Sequence, residues 1–277
     1  MASETSFADA QHDRFTEQGF LRLGKVLPAD QFMALQRRMD DIMLGGIEYE
    51  NMRFQFYDSS TGQLRRTRGN TERALSYRRI DDLEQDPVFL AYIQHPLYRR
   101  ITRRYIGEEV SVFRSMFMNK PAGHGTVEHG TEIKWHQDVG TGFGIDTEPF
   151  VTVWTALDDA TVANGCMQIV PGSHKHGVIN RNHFPSPEEQ TQYIAEENVF
   201  DLEAEAGEAI LLHNLLLHRS SVNPSTERRR AFSVMYVDAA TRTLDSGMSF
   251  PVVFGENALD PETVPGKAAD QIEVFYG

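Results

Sequence analysis

The chain has 277 residues, 40% of them hydrophobic and 24% charged, a composition that supports a packed core. Its formal net charge of −13 removes the basic footprint of a nucleic-acid binder and gives an anionic membrane surface nothing to attract. The single cysteine, Cys166, excludes an intramolecular disulfide, fits a reducing compartment and reads as a small buried hydrophobe.

Met1 to Phe7 is short and polar, without the basic-then-apolar order of a signal peptide. No apolar run reaches the ~18–20 residues of a membrane helix, so a cytoplasmic enzyme is expected. Residues 9–18 read as a mostly polar helix, and residues 20–26 alternate like a short strand. Pro28 opens a second helix, with Phe32, Leu35, Met39 and Ile42 as its apolar stripe. Residues 48–79 carry many arginines with Phe54, Phe56 and Tyr57, and read as a long irregular loop with short helices, a lid or binding segment. Residues 87–106 read as one helix, because Phe89, Ile93, Leu97 and Ile101 recur at helical spacing. From Val110 the pattern changes to short β-rich runs punctuated by Gly, Pro and Asn, at 110–118, 131–135, 151–156, 167–170, 209–213 and 232–237. Helices first and strands later predict an α+β protein whose catalytic half is an antiparallel β-sandwich or jelly roll. No linker or internal repeat divides the chain, so residues 1–277 are expected to form one domain, helical to about 109 and jelly roll from about 110 to 240.

The sharpest local signal is Trp135-His136-Gln137-Asp138. On a strand, positions i and i+2 share a face, which presents an imidazole and a carboxylate together. These are two-thirds of the facial triad of non-haem Fe(II) oxygenases. Such a pair is common by chance and proves little alone. His218, in Leu217-His218-Arg219-Ser220-Ser221-Val222-Asn223-Pro224-Ser225, is the natural third ligand. Arg229, eleven residues further on, lies in Arg228-Arg229-Arg230-Ala231. An arginine fork matches a carboxylate bidentately, although any one of these arginines also reads as part of a solvated charge run.

In combination, these stretches resemble the phytanoyl-CoA dioxygenase family of Fe(II)/2-oxoglutarate oxygenases. The resemblance also rests on Val153-Trp154-Thr155-Ala156-Leu157-Asp158-Asp159 and on the stretch from Asn164-Gly165-Cys166 to Pro171-Gly172-Ser173-His174. The matching blocks span about half the chain, residues 110–237. The resemblance implies a double-stranded β-helix (jelly-roll, cupin-like) core holding Fe(II) on His136, Asp138 and His218. It implies that Arg229, helped by the Ser220 hydroxyl, binds the distal carboxylate of 2-oxoglutarate, with Trp154 against the co-substrate and Met118 and Asn119 on a strand position that often touches it. Arg228 or Arg230 takes the place of Arg229 if the turn differs by one residue; the family spacing favours Arg229. The implied reaction consumes O2 and 2-oxoglutarate to oxidise, in the simplest case hydroxylate, a small molecule. Desaturation, ring closure or epimerisation would use the same cofactors. Halogenating relatives replace the carboxylate ligand with a small residue, and here Asp138 is present. A zinc hydrolase on the same three ligands, or a jelly-roll binding protein without catalysis, are the readings from other classes.

Other features read as structural. His174 and His176 follow the Pro-Gly-Ser turn, His213 stands at an odd offset from His218, and His124 and His129 flank Gly-rich sequence. Arg65, Arg66, Arg68, Arg73, Arg78 and Arg79 form a basic cluster, read as solvated surface or as the recognition site for an anionic substrate group. Gly140-Thr141-Gly142-Phe143-Gly144, just after Asp138, reads as a mobile mouth or lid.

Overall fold

A computed structural model describes residues 7–58, 61–122 and 131–264. His124 and His129 lie outside the described residues. Helix α1 (Asp9–Gln18) ends at Gly19, whose φ of 77° is left-handed and whose N–H reaches the Phe15 carbonyl at 2.8 Å. The chain then turns directly into β1 (Phe20–Lys25). Helix α2 (Ala29–Met43) has Pro28 just outside as its cap, and Leu35, Met39 and Ile42 are fully buried along one face.

Residues 48–79 are not a loop with helices. They hold strands β2 (Arg53–Tyr57) and β3 (Leu64–Arg68), followed by β4 (Arg79–Asp81), which pairs β2 with the body of the sheet. Phe54 is fully buried in the core. The helix expected over 87–106 is two helices, α3 (Pro87–Ile93) and α4 (Pro96–Tyr105). Proline disfavours helix in the residue before it and removes an N–H, so Pro96 ends one helix and starts the next. Asp86 caps α3 by accepting from Val88 and Phe89 N–H groups. Its other oxygen takes Arg38 at 2.5 Å and the Tyr49 hydroxyl at 2.6 Å, which locks α2 to α3 through a buried pair.

The remaining elements are β5 (Val110–Lys120), β6 (Ile133–His136), β7 (Val151–Ala156), β8 (Met167–Ile169), α5 (Pro187–Tyr193), β9 (Phe200–Leu202), β10 (Glu208–His213), β11 (His218–Ser220), β12 (Arg229–Asp238) and β13 (Val252–Phe254). All pairings are antiparallel. The larger sheet runs β1-β10-β7-β12-β5-β4-β2-β3, with β13 also on β5, and the smaller runs β6-β11-β8-β9. The half expected to be helical therefore contributes four strands to the larger sheet.

Alternation along the strands divides the interior into two layers. One face of the larger sheet packs on the helices through Phe89, Tyr92, Phe117, Phe232 and Val234. Its other face meets the smaller sheet: Trp154, Ile210, Leu212 and Ala231 pack with Met167, Ile169 and Leu202. The two sheets face each other across this second layer, and a cavity opens within it.

Candidate active site

His136 ends β6 and His218 begins β11, and the antiparallel register sets them directly opposite each other. Their rings lie 4.0 Å apart between centroids. Asp138 sits two residues past His136, beyond the strand end, with one carboxylate oxygen 3.7 Å from His136 Nε2 and the other 3.7 Å from His218 Nε2. His136 donates from Nδ1 to the Lys134 carbonyl at 2.7 Å, and His218 donates likewise to Leu216 at 2.9 Å. Those bonds leave both Nε2 lone pairs facing the carboxylate, the arrangement that orients metal-ligating imidazoles. Two neutral imidazole nitrogens facing one carboxylate form a donor set that would suit a divalent ion such as Fe(II). Burial, reinforced by the His218 charge, pulls His136 down to about 3, so it is a neutral donor at physiological pH. Burial alone would raise Asp138, but its coupling to His218, His136, His183 and Arg114 outweighs this and the net direction is down.

A cavity of about 120 Å³ is lined by these three residues and by Arg229. The three consecutive arginines part company here. Arg230 forms a bidentate pair with Asp158 and reaches Asp40 at 2.5 Å, and Arg228 lies within 4 Å of the same two acids. Arg229, 3% exposed, points into the cavity with no carboxylate partner among the described residues. Its Nη2 donates to the Gly165 carbonyl at 2.7 Å, its Nε has no partner, and its guanidinium lies 5.8 Å from the Trp154 ring centroid. Burial draws it down to about 10, still charged at neutral pH. Lys120, opposite Arg229 in the strand register, donates to the carbonyls of Thr131 and Ser221. Burial, then the charge of Arg229, pull that ammonium down to about 6. An uncompensated buried guanidinium is costly unless an anion completes it.

Trp154 and Ser220 line the same cavity, as does Met118. Asn119 borders it too, but its amide donates to the carbonyls of Leu75 and Tyr77, so it fastens that segment to β5 and leaves its Oδ1 unpaired. Arg78 and Arg79 of the basic cluster reach the cavity, whereas Arg65 and Arg73 pair with Asp58 and Glu48 at the surface. His174 is tied to the Thr16 carbonyl, and His213 packs among Phe15, Phe150 and His174, away from the triad.

Two residues of the site carry no spacing signal. Donor atoms of His183 lie within 4.8 Å of those of His136 and Asp138, and its ring is 4.9 Å from His136. It holds a left-handed φ of 78°, rare for a non-glycine. Gln137, between the two ligands, accepts from Ile179 N–H and donates to the Gly177 and Leu215 carbonyls, pinning the loop that carries His183. The stretch after Asp138 is tied down rather than free: Thr141 N–H and hydroxyl both donate to the Arg181 carbonyl.

Two histidines and one carboxylate between facing antiparallel sheets, beside a buried cation, define a non-haem iron, 2-oxoglutarate-dependent dioxygenase. The family model of phytanoyl-CoA dioxygenase matches residues 15–231, and the chain belongs to that family. A phytanoyl-CoA dioxygenase domain-containing protein 1 of Danio rerio is 27% identical over 81% of this chain and 88% of its own length. A phytanoyl-CoA dioxygenase of Arabidopsis thaliana is 25% identical over 84% and 90%. Among solved structures, the non-heme monooxygenase ThoJ superposes with a TM-score of 0.65 at 22% identity, over 95% of this chain and 92% of ThoJ. EctD from S. alaskensis, solved with 2-oxoglutarate and 5-hydroxyectoine, gives 0.65 at 18% identity, over 96% and 89%. At these identities the structural likeness speaks for the fold. No described helix is long and apolar enough to cross a membrane.

Proposed function

We propose that the protein hydroxylates a small molecule, binding Fe(II) on His136, Asp138 and His218 and 2-oxoglutarate on Arg229, with succinate and CO2 as co-products. The carrying observation is the buried Arg229 guanidinium, which lines the same cavity as the triad and lacks an acid among the described residues. A linear dicarboxylate fits that layout: one end at the metal, the other on the fork. On this reading Ser220 donates its hydroxyl to the distal carboxylate, and Trp154 and Met118 wall the carbon chain. Asn119 contributes by holding β5 in place. The two sheets are then the halves of a double-stranded β-helix within a single 1–277 domain. The buried free Cys166 suits a reducing compartment such as the cytoplasm.

The Fe(II) ion supplies the redox chemistry that couples O2 to co-substrate decarboxylation and C–H oxidation. The chain orients and shields. Trp154, Ile210, Leu212 and Met167 keep water from the cavity walls. The carbonyls of Lys134 and Leu216 fix the two imidazoles. A zinc hydrolase would need the triad but gives no reason for an acid-free buried arginine beside it.

The test is succinate formation by anaerobically Fe(II)-loaded protein on adding O2 and 2-oxoglutarate. Arg229→Ala should raise the KM for 2-oxoglutarate about 30- to 100-fold, the loss of about 2–3 kcal/mol of charge-assisted hydrogen bonding. Failure of 2-oxoglutarate to bind the Fe(II) protein would end this reading. Product mass then separates hydroxylation, a gain of one oxygen, from desaturation, a loss of two hydrogens.

A further inference from the structure

Strand β5 contains a bulge where it pairs with β12: Met235 stands opposite Arg114, but Tyr236 stands opposite Val112. Phe113 is the extra residue. Before the bulge, Val110 and Val112 face the helix-packed layer; after it, Phe117 does. The face parity has therefore flipped, and the even positions Met116, Met118 and Lys120 line the cavity. Arg114 shares their parity, and Phe113 accompanies it, its ring centroid 4.7 Å from the Arg114 guanidinium. Bulges beside active sites re-aim side chains in this way.

The turn after Asp138 completes the setting. Phe143 places its ring centroid 4.4 Å from the same guanidinium. The Phe143 ring is 5.4 Å from that of His183, which is 4.9 Å from that of His136. Arg114 is thus joined to a proposed metal ligand by two intervening rings. Aromatic rings hold an arginine by its faces and leave its N–H edge free. No hydrogen bond or ion pair engages that edge among the described residues, whereas Arg53, Arg79 and Arg230 all have carboxylates. Burial, then the charge of Arg79, draw Arg114 below the ordinary arginine value, and the fields of Asp138 and Asp81 only partly offset this. Exposed apolar side chains stand on the adjoining segments: Phe184 is 50% exposed beside His183, and Leu244, 68% exposed, donates its N–H to Gly144 at the end of the same turn. A cation without an ion-pair partner, near exposed apolar side chains, suits an amphipathic anion.

We propose that Arg114 is the specificity residue for the primary substrate, binding an oxyanion, such as a carboxylate, on a molecule whose apolar part lies against Phe143 and Phe184. This rests on the oxygenase reading above and gives it a substrate class. It gives two cations without an ion-pair partner different roles, Arg229 in the cavity for the co-substrate and Arg114 beside it for the substrate. The anion site thereby sits by the metal rather than on the exposed β3 arginines.

The test uses three probes of equal chain length, octanoate, octyl phosphate and octanamide, titrated calorimetrically into anaerobic Fe(II) protein saturated with 2-oxoglutarate. Octanoate or octyl phosphate should bind at least tenfold more tightly than octanamide, and less so at high salt. Whichever anion binds more tightly identifies the group. Arg114→Gln should abolish the preference and Arg114→Lys should keep part of it, both with unchanged 2-oxoglutarate affinity. Equal binding of anions and amide, no binding of any probe, or an undiminished preference in Arg114→Gln would overturn the proposal. If 2-oxoglutarate itself fails to bind, the oxygenase reading fails, and the anion preference is read on the metal-loaded protein alone.

Discussion

Arg228, Arg229 and Arg230 show how one side chain takes three values according to its surroundings. Arg230 is 2% exposed and bonded to Asp158 and Asp40, so removing it strands two acids in a partly dry site. Breaking a buried pair costs about 3–5 kcal/mol, and the residual hydration of Asp40 and Asp158 trims this to about 2–4 for Arg230→Ala. Arg228 is 36% exposed at 3.6 and 3.9 Å from the same acids, and Arg228→Ala should cost under about 1 kcal/mol. Urea denaturation of the two variants checks the order; equal losses would contradict it. At the triad, the residue-level expectation is linkage. A metal that binds only the folded protein raises its melting temperature. Mn(II) should therefore stabilise the wild type and leave Asp138→Ala unmoved. A preserved thermal shift in that variant would remove Asp138 from the ligand set.

At the scale of elements, the loop after the triad is built against its neighbour with no room to spare. Gly140 has φ of 122°, and a Cβ there would come within 2.6 Å of the Arg181 carbonyl oxygen. Gly140→Ala should displace the turn that carries Phe143 from the segment that carries His183, at a cost of about 1–3 kcal/mol. Turnover should fall with metal affinity kept; unchanged turnover and stability would show that the contact is not tight. What the sequence disclosed follows from where the information lies. Six of the nine later strands were readable because Gly, Pro and Asn punctuate them, whereas β9, β11 and β13 are three residues each. The His136-Gln137-Asp138 spacing is a local signal, although Asp138 lies past the end of β6. Strand β3, Leu64–Arg68, has three arginines and one leucine on a sheet edge, so its alternation is hidden and only pairing with β2 defines it. Pro96 did announce the break between α3 and α4, but the apolar repeat running through it is the louder pattern. His183 stands 45 residues after Asp138 in an irregular segment, and the tertiary hydrogen bonds of Gln137 and Thr141 and its own contact with the Val139 carbonyl bring it beside His136 and Asp138. The bulge at Phe113 is a property of two strands and is invisible in either alone.

For the molecule as a whole, stability should carry the signature of Glu84. This residue lies in a short turn at 83–85, only 7% exposed under β5, and accepts the Ser115 hydroxyl at 2.5 Å. Burial pushes its carboxyl up from 4.5 to about 7, and the Ser115 bond only partly offsets this. The folded state therefore holds a proton that the unfolded chain releases above pH 4.5. Where the unfolded state binds fewer protons, stability falls as pH rises. The Glu84 contribution is fully present below the unfolded value, declines between about pH 4.5 and 7, and is flat above. At 1.36 kcal/mol per unit, the loss has an upper bound of about 3 kcal/mol. Other carboxylates in a chain of net charge −13 titrate in the same acid range, so the measurable quantity is the difference between wild type and Glu84→Gln. Glutamine keeps a hydrogen-bonding partner for Ser115 and cannot ionise. The variant should match or trail the wild type at pH 5, gain on it to about pH 7 by up to about 3 kcal/mol, and level off by pH 8. Urea midpoints at four pH values suffice. A difference that stays constant from pH 5 to 8 would mean that Glu84 ionises in the fold as readily as in water, and that the turn beneath β5 is open to solvent.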